Sequence, residues 1–208
     1  MRPARIIPQP VATVVGAPIP CGAYILLIAI ESTFAATIGR LSQGRLLTFP
    51  AGAYLYVGSA MGLRGSATLG WRLLRHASRA AGQPAQPIRE DLRQTLIEHS
   101  MVAAETTSPA TKRLRWHIDF LLDRREAKLT HVFALRCNQR REDELAQLLA
   151  AESDSQPFLP GFGASDAPGA SHLFTLAADE DLTARLPAIM AELCAAPATA
   201  RDLFAGGA

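Results

Sequence analysis

The longest apolar run in this chain covers residues 23–30, and it restricts the fold more than any other segment. The run has eight residues, far fewer than the ~20 that a membrane-spanning helix needs. It contains three β-branched isoleucines and is too short for a typical helix. We therefore predict a buried β-strand over residues 24–30, in a globular protein that does not enter the membrane.

Two further extended segments follow the first strand. A glycine-containing turn region precedes residues 46–49, and a break at Pro50 and Gly52 separates these from residues 54–58. Glycine and proline commonly mark the ends of regular elements. The three segments together predict an antiparallel meander of three strands.

The rest of the chain is mainly helical in its periodicity. Helices are predicted over 66–80, 88–104, 116–122, 141–151 and 182–194, and strands over 129–135 and 172–176. We therefore expect an α/β (α+β) fold, with a small mixed, largely antiparallel, three-stranded central sheet flanked by helices. Its parts are a flexible N-terminal arm at 1–20, a domain at 21–177 with a helical insertion at about 81–114, and a C-terminal helix and frayed tail at 178–208.

The termini and cysteines indicate the compartment. Residues 1–20 lack the continuous apolar region of a signal peptide. The three cysteines, Cys21, Cys137 and Cys194, are odd in number and widely spaced, which suits neither a disulfide framework nor a zinc site. We therefore expect a cytoplasmic protein, whose oligomeric state the sequence leaves open.

The charge is distributed unevenly along the chain. Residues 1–141 carry 19 Lys and Arg against 8 Asp and Glu, a net +11, whereas residues 142–208 carry 2 against 11, a net −9. The basic part suits a phosphate-bearing partner. The acidic part suits a metal ion, or simply pairs with the basic part.

A cationic helix face is the first feature that points to chemistry. Arg72, Arg75, His76 and Arg79 recur at helical spacing after a glycine-containing loop at 58–65. Glycines and a helix N-terminus allow a phosphate to approach closely, and an arginine binds it with two hydrogen bonds. This face favours phosphate binding, with an ordinary solvated surface as the alternative.

Two short motifs and an ordered continuation carry a family resemblance. Gly22, Ala23 and Tyr24 open the first predicted strand, and Tyr56, Val57 and Gly58 end the third. An arginine follows, then a histidine four positions later, and then a glutamate on a later helix. In this order the chain resembles the GIY-YIG nuclease superfamily. Segments 49–52, 54–60, 116–119, 161–166 and 171–174 are similar to those of a small prokaryotic branch of it.

The resemblance implies a set of catalytic roles. Tyr56 would position or activate water, with Tyr24 in support, and His76 would share the proton. A tyrosine acts as a base at neutral pH only if nearby cations lower its pKa from ~10. Arg72 would stabilise charge on the scissile phosphate, although Arg75 could hold that position instead.

The resemblance also implies one metal ion on a helical glutamate. Glu142 matches that position, with Glu144 as the fallback. Mg²⁺ suits a single carboxylate because it keeps most of its waters, and Mn²⁺ is expected to substitute for it. An acidic first helical turn that merely complements the helix dipole is the alternative.

The remaining candidate residues are assigned to substrate binding. Trp116 could stack on a base, or it could be a core residue with Asp119 as a helix cap. A serine nucleophile is not expected, because no glycine-flanked elbow surrounds Ser165. The substrate-binding set is Gly58, Ser59, Arg75, Arg79, Trp116, His117, Asp119, Ser165, Asp166 and His172.

The function expected from the resemblance is a metal-dependent endonuclease acting on DNA or RNA. A nucleic-acid-binding module that kept the fold without catalysis is one alternative, because a fold alone does not imply an activity. A hydrolase of small phosphodiesters is another.

Overall fold

The apolar run at 23–30 lies at the centre of a six-stranded sheet in the computed structural model, which describes residues 10–105, 111–163, 170–177 and 181–196. The strands are β1 Ala12–Gly16, β2 Gly22–Ile30, β3 Phe34–Ala36, β4 Leu47–Phe49, β5 Gly52–Ala60, β6 Ala127–Arg136, β7 Ser155–Pro157 and β8 Leu173–Leu176. The helices are α1 Leu69–His76, α2 Arg89–Glu98, α3 His117–Leu122, α4 Glu142–Ala151 and α5 Asp181–Ala195. The order in the large sheet is β1-β6-β2-β5-β8-β7.

The sheet buries both of its faces. Successive side chains of a strand point to opposite sides, so Tyr24 and Leu26 of β2 pack with α1, α2 and α3, while Ala23 and Ile25 pack with α4 and α5. This explains why β2 is apolar at nearly every position, as expected for a central strand covered on both sides. The protein has a mixed α+β architecture, with a largely antiparallel sheet between two helical layers.

The prediction of three strands in the central sheet is wrong. The segment at 46–49 does not join that sheet, because its strand β4 pairs only with β3 in a separate two-stranded sheet. β2 instead pairs directly with β5 over nine residues, in antiparallel register from Gly22 opposite Ala60 to Ile30 opposite Gly52. The nine continuous residue pairs between β2 and β5 allow more backbone hydrogen bonds than a three-residue strand such as β4 could form.

Part of the predicted flexible arm is also a strand. β1 runs parallel to β6, with Ala12 opposite Val132 and Gly16 opposite Arg136, and covers what would otherwise be the edge of the sheet. Prolines on both sides of this five-residue strand hide it in the sequence pattern.

The segment predicted as a helical insertion contains α2, which covers Arg89–Glu98 and not the predicted 88–104. A buried glutamine links this segment to the sheet. Gln86 Nε2 donates to the carbonyl oxygens of Leu122 and Ala127, and its Oε1 accepts from the Leu129 backbone N–H. The helices at 116–122, 141–151 and 182–194 are confirmed within two residues at each end. Across the described ranges, no helix combines the length and apolar character needed to cross a membrane.

Candidate functional site

A cavity of about 350 Å³ opens where β2 begins and β5 ends. These two ends lie at one edge of the sheet because the strands are antiparallel. All four predicted catalytic residues line it, together with the predicted metal ligand: Tyr24, Tyr56, Arg72, His76 and Glu142. The fold therefore brings together residues that are more than a hundred positions apart in the chain.

Tyr24 and His76 form a buried hydrogen-bonded pair. The Tyr24 hydroxyl lies 2.7 Å from His76 Nε2. Burial lowers the pKa of His76 well below its usual value, with a further lowering from Lys112, so the imidazole is neutral at neutral pH. The tautomer protonated on Nδ1 has a free lone pair at Nε2 that accepts the Tyr24 proton. The lowered pKa of His76 makes it a weak base, so it can accept the Tyr24 proton only while a group in the cavity gives a proton to the Tyr24 oxygen.

Both cavity tyrosines keep their own protons at neutral pH. Burial raises the pKa of Tyr24 well above 10, and the neighbouring Tyr56 raises it further. Burial and Glu142 likewise raise the pKa of Tyr56, although Arg72 acts in the opposite direction on both. The lowering that Tyr56 would need to act as a base alone is absent. Tyr56 makes no hydrogen bond to another described residue, whereas Tyr24 has His76.

Arg72 presents an unpaired guanidinium to the cavity. Its Cζ lies 4.0 Å from the centroid of the Trp116 ring, which is close enough for a cation–π contact. The Arg72 side chain has no hydrogen bond and no ion pair to another described residue, and its Nε is buried without a partner. Its N–H groups are therefore free to bind an anion.

Arg75 and Arg79 bind the protein itself. The helix predicted over 66–80 is only Leu69–His76, so Arg75 lies on α1 and Arg79 lies beyond its end. Arg75 Nη2 lies 2.7 Å from Asp119 Oδ2 and donates to the Arg113 carbonyl. The buried Arg79 donates to three backbone carbonyls beyond α3 and at the start of β6. Neither lines the cavity. Of the two arginines proposed for the phosphate, Arg72 is the one that lines the cavity, whereas Arg75 is held by Asp119 and the Arg113 carbonyl.

Asp119 is fully buried beneath the cavity and caps α3. Its Oδ2 accepts from the backbone N–H groups of Arg115 and Trp116, at 2.9 Å and 3.1 Å. Lys112 Nζ lies 3.1 Å from Oδ1, and this lysine side chain is 1% exposed. Burial raises the pKa of Asp119, but Lys112 and the backbone N–H groups lower it more, so it is ionised. Asp119 thus holds Trp116, and through it Arg72.

Glu142 is the carboxylate that faces the cavity from the first turn of α4. Ser59 Oγ donates to its Oε2 in a short hydrogen bond, and His172 Nδ1 lies 3.2 Å from its Oε1. Glu144 is turned away, with Oε1 2.7 Å from Arg141 Nη1. The described ranges contain no group of three or more His, Cys, Asp or Glu side chains placed to hold a metal. A metal here would depend on Glu142 and at most one neighbour.

The other predicted substrate-binding residues have different positions. Gly58, Ser59, Trp116 and His117 line the cavity. His117 Nδ1 accepts a hydrogen bond from the Gly163 backbone N–H at 3.2 Å, and burial lowers the pKa of its ring. His172 lies behind Glu142 and does not line the cavity. Ser165 and Asp166 lie outside the described residues.

Some residues of the cavity and its surroundings were not among the predicted site residues. Arg115, Ile118 and Gly163 also line the cavity, and the first two adjoin or fall within the tryptophan motif that the sequence singled out. Lys112 is different, because a lone lysine in a loop is ordinarily solvated. Only its burial beside Asp119 reveals its role.

Replacing Gly58 with alanine should disturb the Tyr24–His76 pair. A Cβ at position 58 would lie 2.4 Å from Tyr24 Cζ and Oη, so the ring would have to move. We expect the free energy of unfolding to fall by ~1–3 kcal/mol, as for other overpacked sites. Urea unfolding measures this. In a Tyr24→Ala background the same substitution should cost much less; an equal cost in both backgrounds would refute the predicted clash.

Comparison with known proteins gives a family without an activity. A family model described as a domain of unknown function, DUF123, matches residues 23–195. The matched range includes every residue that lines the cavity. No curated protein and no solved structure matches the chain.

Proposed function

We propose, for a chain that belongs to the DUF123 family, that the cavity at the β2–β5 edge hydrolyses phosphodiester bonds of DNA or RNA, on a fold of GIY-YIG type. One observation carries the proposal: an unpaired arginine, a tyrosine–histidine proton acceptor and a carboxylate converge on one cavity. Hydrolysis of a phosphodiester needs cationic charge, a base and assistance to the leaving oxygen. The first two are supplied by this chain's own side chains.

Arg72 would bind the scissile phosphate. Its guanidinium is planar and offers several N–H groups in a geometry that matches phosphate oxygens. Its contact with Trp116 holds it at the cavity wall without using any of those N–H groups. Trp116 therefore serves better as a support for Arg72 than as a platform for a base.

Tyr24 and His76 would act together as the base. Water attacks phosphorus and gives a proton to the Tyr24 oxygen while the Tyr24 hydroxyl proton passes to His76 Nε2, 2.7 Å away. The phosphorus–oxygen bond to the leaving group then breaks, and that oxygen takes a proton from solvent. His76 passes its extra proton back through Tyr24 to solvent, a release that its lowered pKa favours. Tyr24 never needs to exist as a free tyrosinate, which agrees with its raised pKa. Tyr56 would orient the water.

Glu142 would hold the divalent metal, Mg²⁺ or Mn²⁺. The residues fit such an ion, because Glu142 presents oxygen atoms to the cavity and hard divalent cations prefer oxygen ligands. When bound, the ion would add positive charge beside the phosphate and the leaving oxygen. Ser59 orients the carboxylate by its hydrogen bond to Oε2.

Cleavage of labelled nucleic acids tests the proposal. Purified protein is incubated with duplex, branched and single-stranded DNA and RNA, in Mg²⁺ and in Mn²⁺. We expect metal-dependent cleavage, and a roughly 10²- to 10⁴-fold lower rate in Tyr24→Phe, the range for loss of a general base. Tyr54→Phe is the matched control, because the Tyr54 hydroxyl donates to the Pro50 carbonyl away from the cavity.

Other outcomes separate the alternatives. Salt-dependent binding of the polymers without cleavage in either metal would favour a binding module. Turnover of a small phosphodiester, with no binding of any polymer, would favour a small-molecule hydrolase. Equal rates for Tyr24→Phe and the wild type would contradict the assigned base.

A further inference from the structure

His172 is a buried histidine that the proposed reaction leaves unused. It is 5% exposed, and its Nδ1 is buried without a hydrogen-bond partner. That nitrogen nonetheless lies 3.2 Å from Glu142 Oε1, a contact with the distance of an ion pair. The backbone of His172 is fixed on both sides, by Val57 on β5 and by the Phe162 carbonyl. This nitrogen is held beside a carboxylate and yet makes no hydrogen bond, which requires an explanation.

The separation of the two atoms is that of two ligands of one metal ion. Two ligands at ~2.1 Å from a metal, on adjacent octahedral positions, are ~3.0 Å apart. The observed 3.2 Å between His172 Nδ1 and Glu142 Oε1 is close to this value. An ion bound to both atoms would remain at the cavity wall, because Glu142 lines the cavity.

The far side of the His172 ring also suits metal binding. Asp143 Oδ1 lies 3.8 Å from Nε2, whereas Glu142 contacts the ring at Nδ1. A carboxylate there favours a proton on Nε2 and so leaves the lone pair of Nδ1 available. Histidines that bind metals commonly have such an outer partner, which fixes the ring and its tautomer.

We propose that His172 Nδ1 and Glu142 Oε1 together bind one divalent transition-metal ion at the cavity wall. This inference rests on the proposed function and deepens it by naming a second protein ligand and the class of ion. Imidazole nitrogen is a better ligand for transition metals than for Mg²⁺, which strongly prefers oxygen. Water and substrate phosphate oxygens would supply the remaining ligands of such an ion. Mn²⁺ is then the better-bound ion and Mg²⁺ the weaker competitor.

Mn²⁺ binding to the full chain tests this directly, with no need for activity. Electron paramagnetic resonance measures the Kd for Mn²⁺, and electron spin-echo modulation detects nitrogen bonded to the ion. We expect a nitrogen coupling in the wild type that changes with ¹⁵N-histidine labelling. In His172→Gln the coupling should vanish and Mn²⁺ binding should weaken by at least roughly tenfold. His131→Gln should bind as the wild type does, because His131 lies on β6 against Thr13, away from this site.

Several results would overturn the inference. Bound Mn²⁺ without nitrogen coupling, or coupling that persists in His172→Gln, means that His172 is not a ligand and only pairs electrostatically with Glu142. Absence of Mn²⁺ binding also overturns it. The labelling experiment uses the wild-type protein, so it stands even if His172→Gln fails to fold. Nitrogen coupling without nucleic-acid cleavage would support the metal site and refute the proposed function. If His172→Gln cleaves nucleic acid in Mg²⁺ as fast as the wild type, and the wild type shows no nitrogen coupling in Mn²⁺, the proposed function stands and the metal site is refuted.

Discussion

Replacing Arg72 with alanine should lower the rate of nucleic-acid cleavage by roughly 10³- to 10⁵-fold, the range for arginines that stabilise a transferring phosphoryl group. The effect is large because Arg72 lines the cavity beside the Tyr24–His76 pair and its side-chain N–H groups have no partner among the described residues. Steady-state cleavage of the best substrate from the panel measures the loss. Arg72→Lys should be faster than Arg72→Ala but slower than the wild type, because lysine restores the positive charge but not the planar guanidinium that binds two phosphate oxygens.

Two controls separate a catalytic loss from a folding defect. Arg64→Ala removes an exposed arginine from the loop before α1 and should leave the rate nearly unchanged. Arg72→Ala itself should unfold at nearly the wild-type temperature, because only the stack on Trp116 is lost. A rate for Arg72→Ala within tenfold of the wild type, with Arg75→Ala far slower, would transfer the phosphate role to Arg75.

Replacing Asp119 with alanine should lower the free energy of unfolding by ~3–5 kcal/mol, the cost of removing one partner of a buried ion pair. The loss leaves Lys112, with 1% of its side chain exposed, without its counter-ion. It also removes the acceptor for the Arg115 and Trp116 backbone N–H groups. Urea unfolding at neutral pH measures the difference.

The charge component of this effect can be tested separately. Asp119→Asn keeps an oxygen for the backbone N–H groups, so combining it with Lys112→Met should recover part of the stability that Asp119→Asn alone loses.

The stabilisation by Asp119 should depend on pH. The pKa of Asp119 is lowered on folding, so this stabilisation is present above the pKa of the unfolded state and is lost as the pH falls. The difference between the wild type and Asp119→Ala should therefore shrink below about pH 4. A difference under ~1 kcal/mol at neutral pH would contradict the role of this ion pair.

Much of the fold follows from local patterns. The apolar run at 23–30 is β2, and the segment at 54–58 lies inside β5. The apolar stripe behind an acidic first turn is α4, with Glu142 at its start. These elements are predictable because burial of one or both faces of an element requires apolar residues at regular spacing or in a continuous run.

Pairing between strands produces no such local pattern in the sequence. β4 has the composition of a strand, yet it pairs with β3 outside the large sheet, while the five-residue β1 joins that sheet from the N-terminal side. Strand pairing depends on contacts between residues distant in the chain, and a window of a few residues cannot contain them. The number of strands in the sheet was therefore beyond local prediction.

The sequence by itself determined which chemical groups are present and their order along the chain: two motif tyrosines, an arginine, a histidine and a glutamate. Tertiary structure decided what each can do. Arg72 and Arg75 are equivalent on a helical pattern, but only Arg75 meets Asp119, because α3 packs beside it. Burial and the neighbouring Tyr56 raise the pKa of Tyr24, and burial and Lys112 lower that of His76, which stays neutral beside it. The physical reason is that charge state and hydrogen-bond partners depend on the surroundings of a side chain in space, and residues from distant parts of the chain form those surroundings.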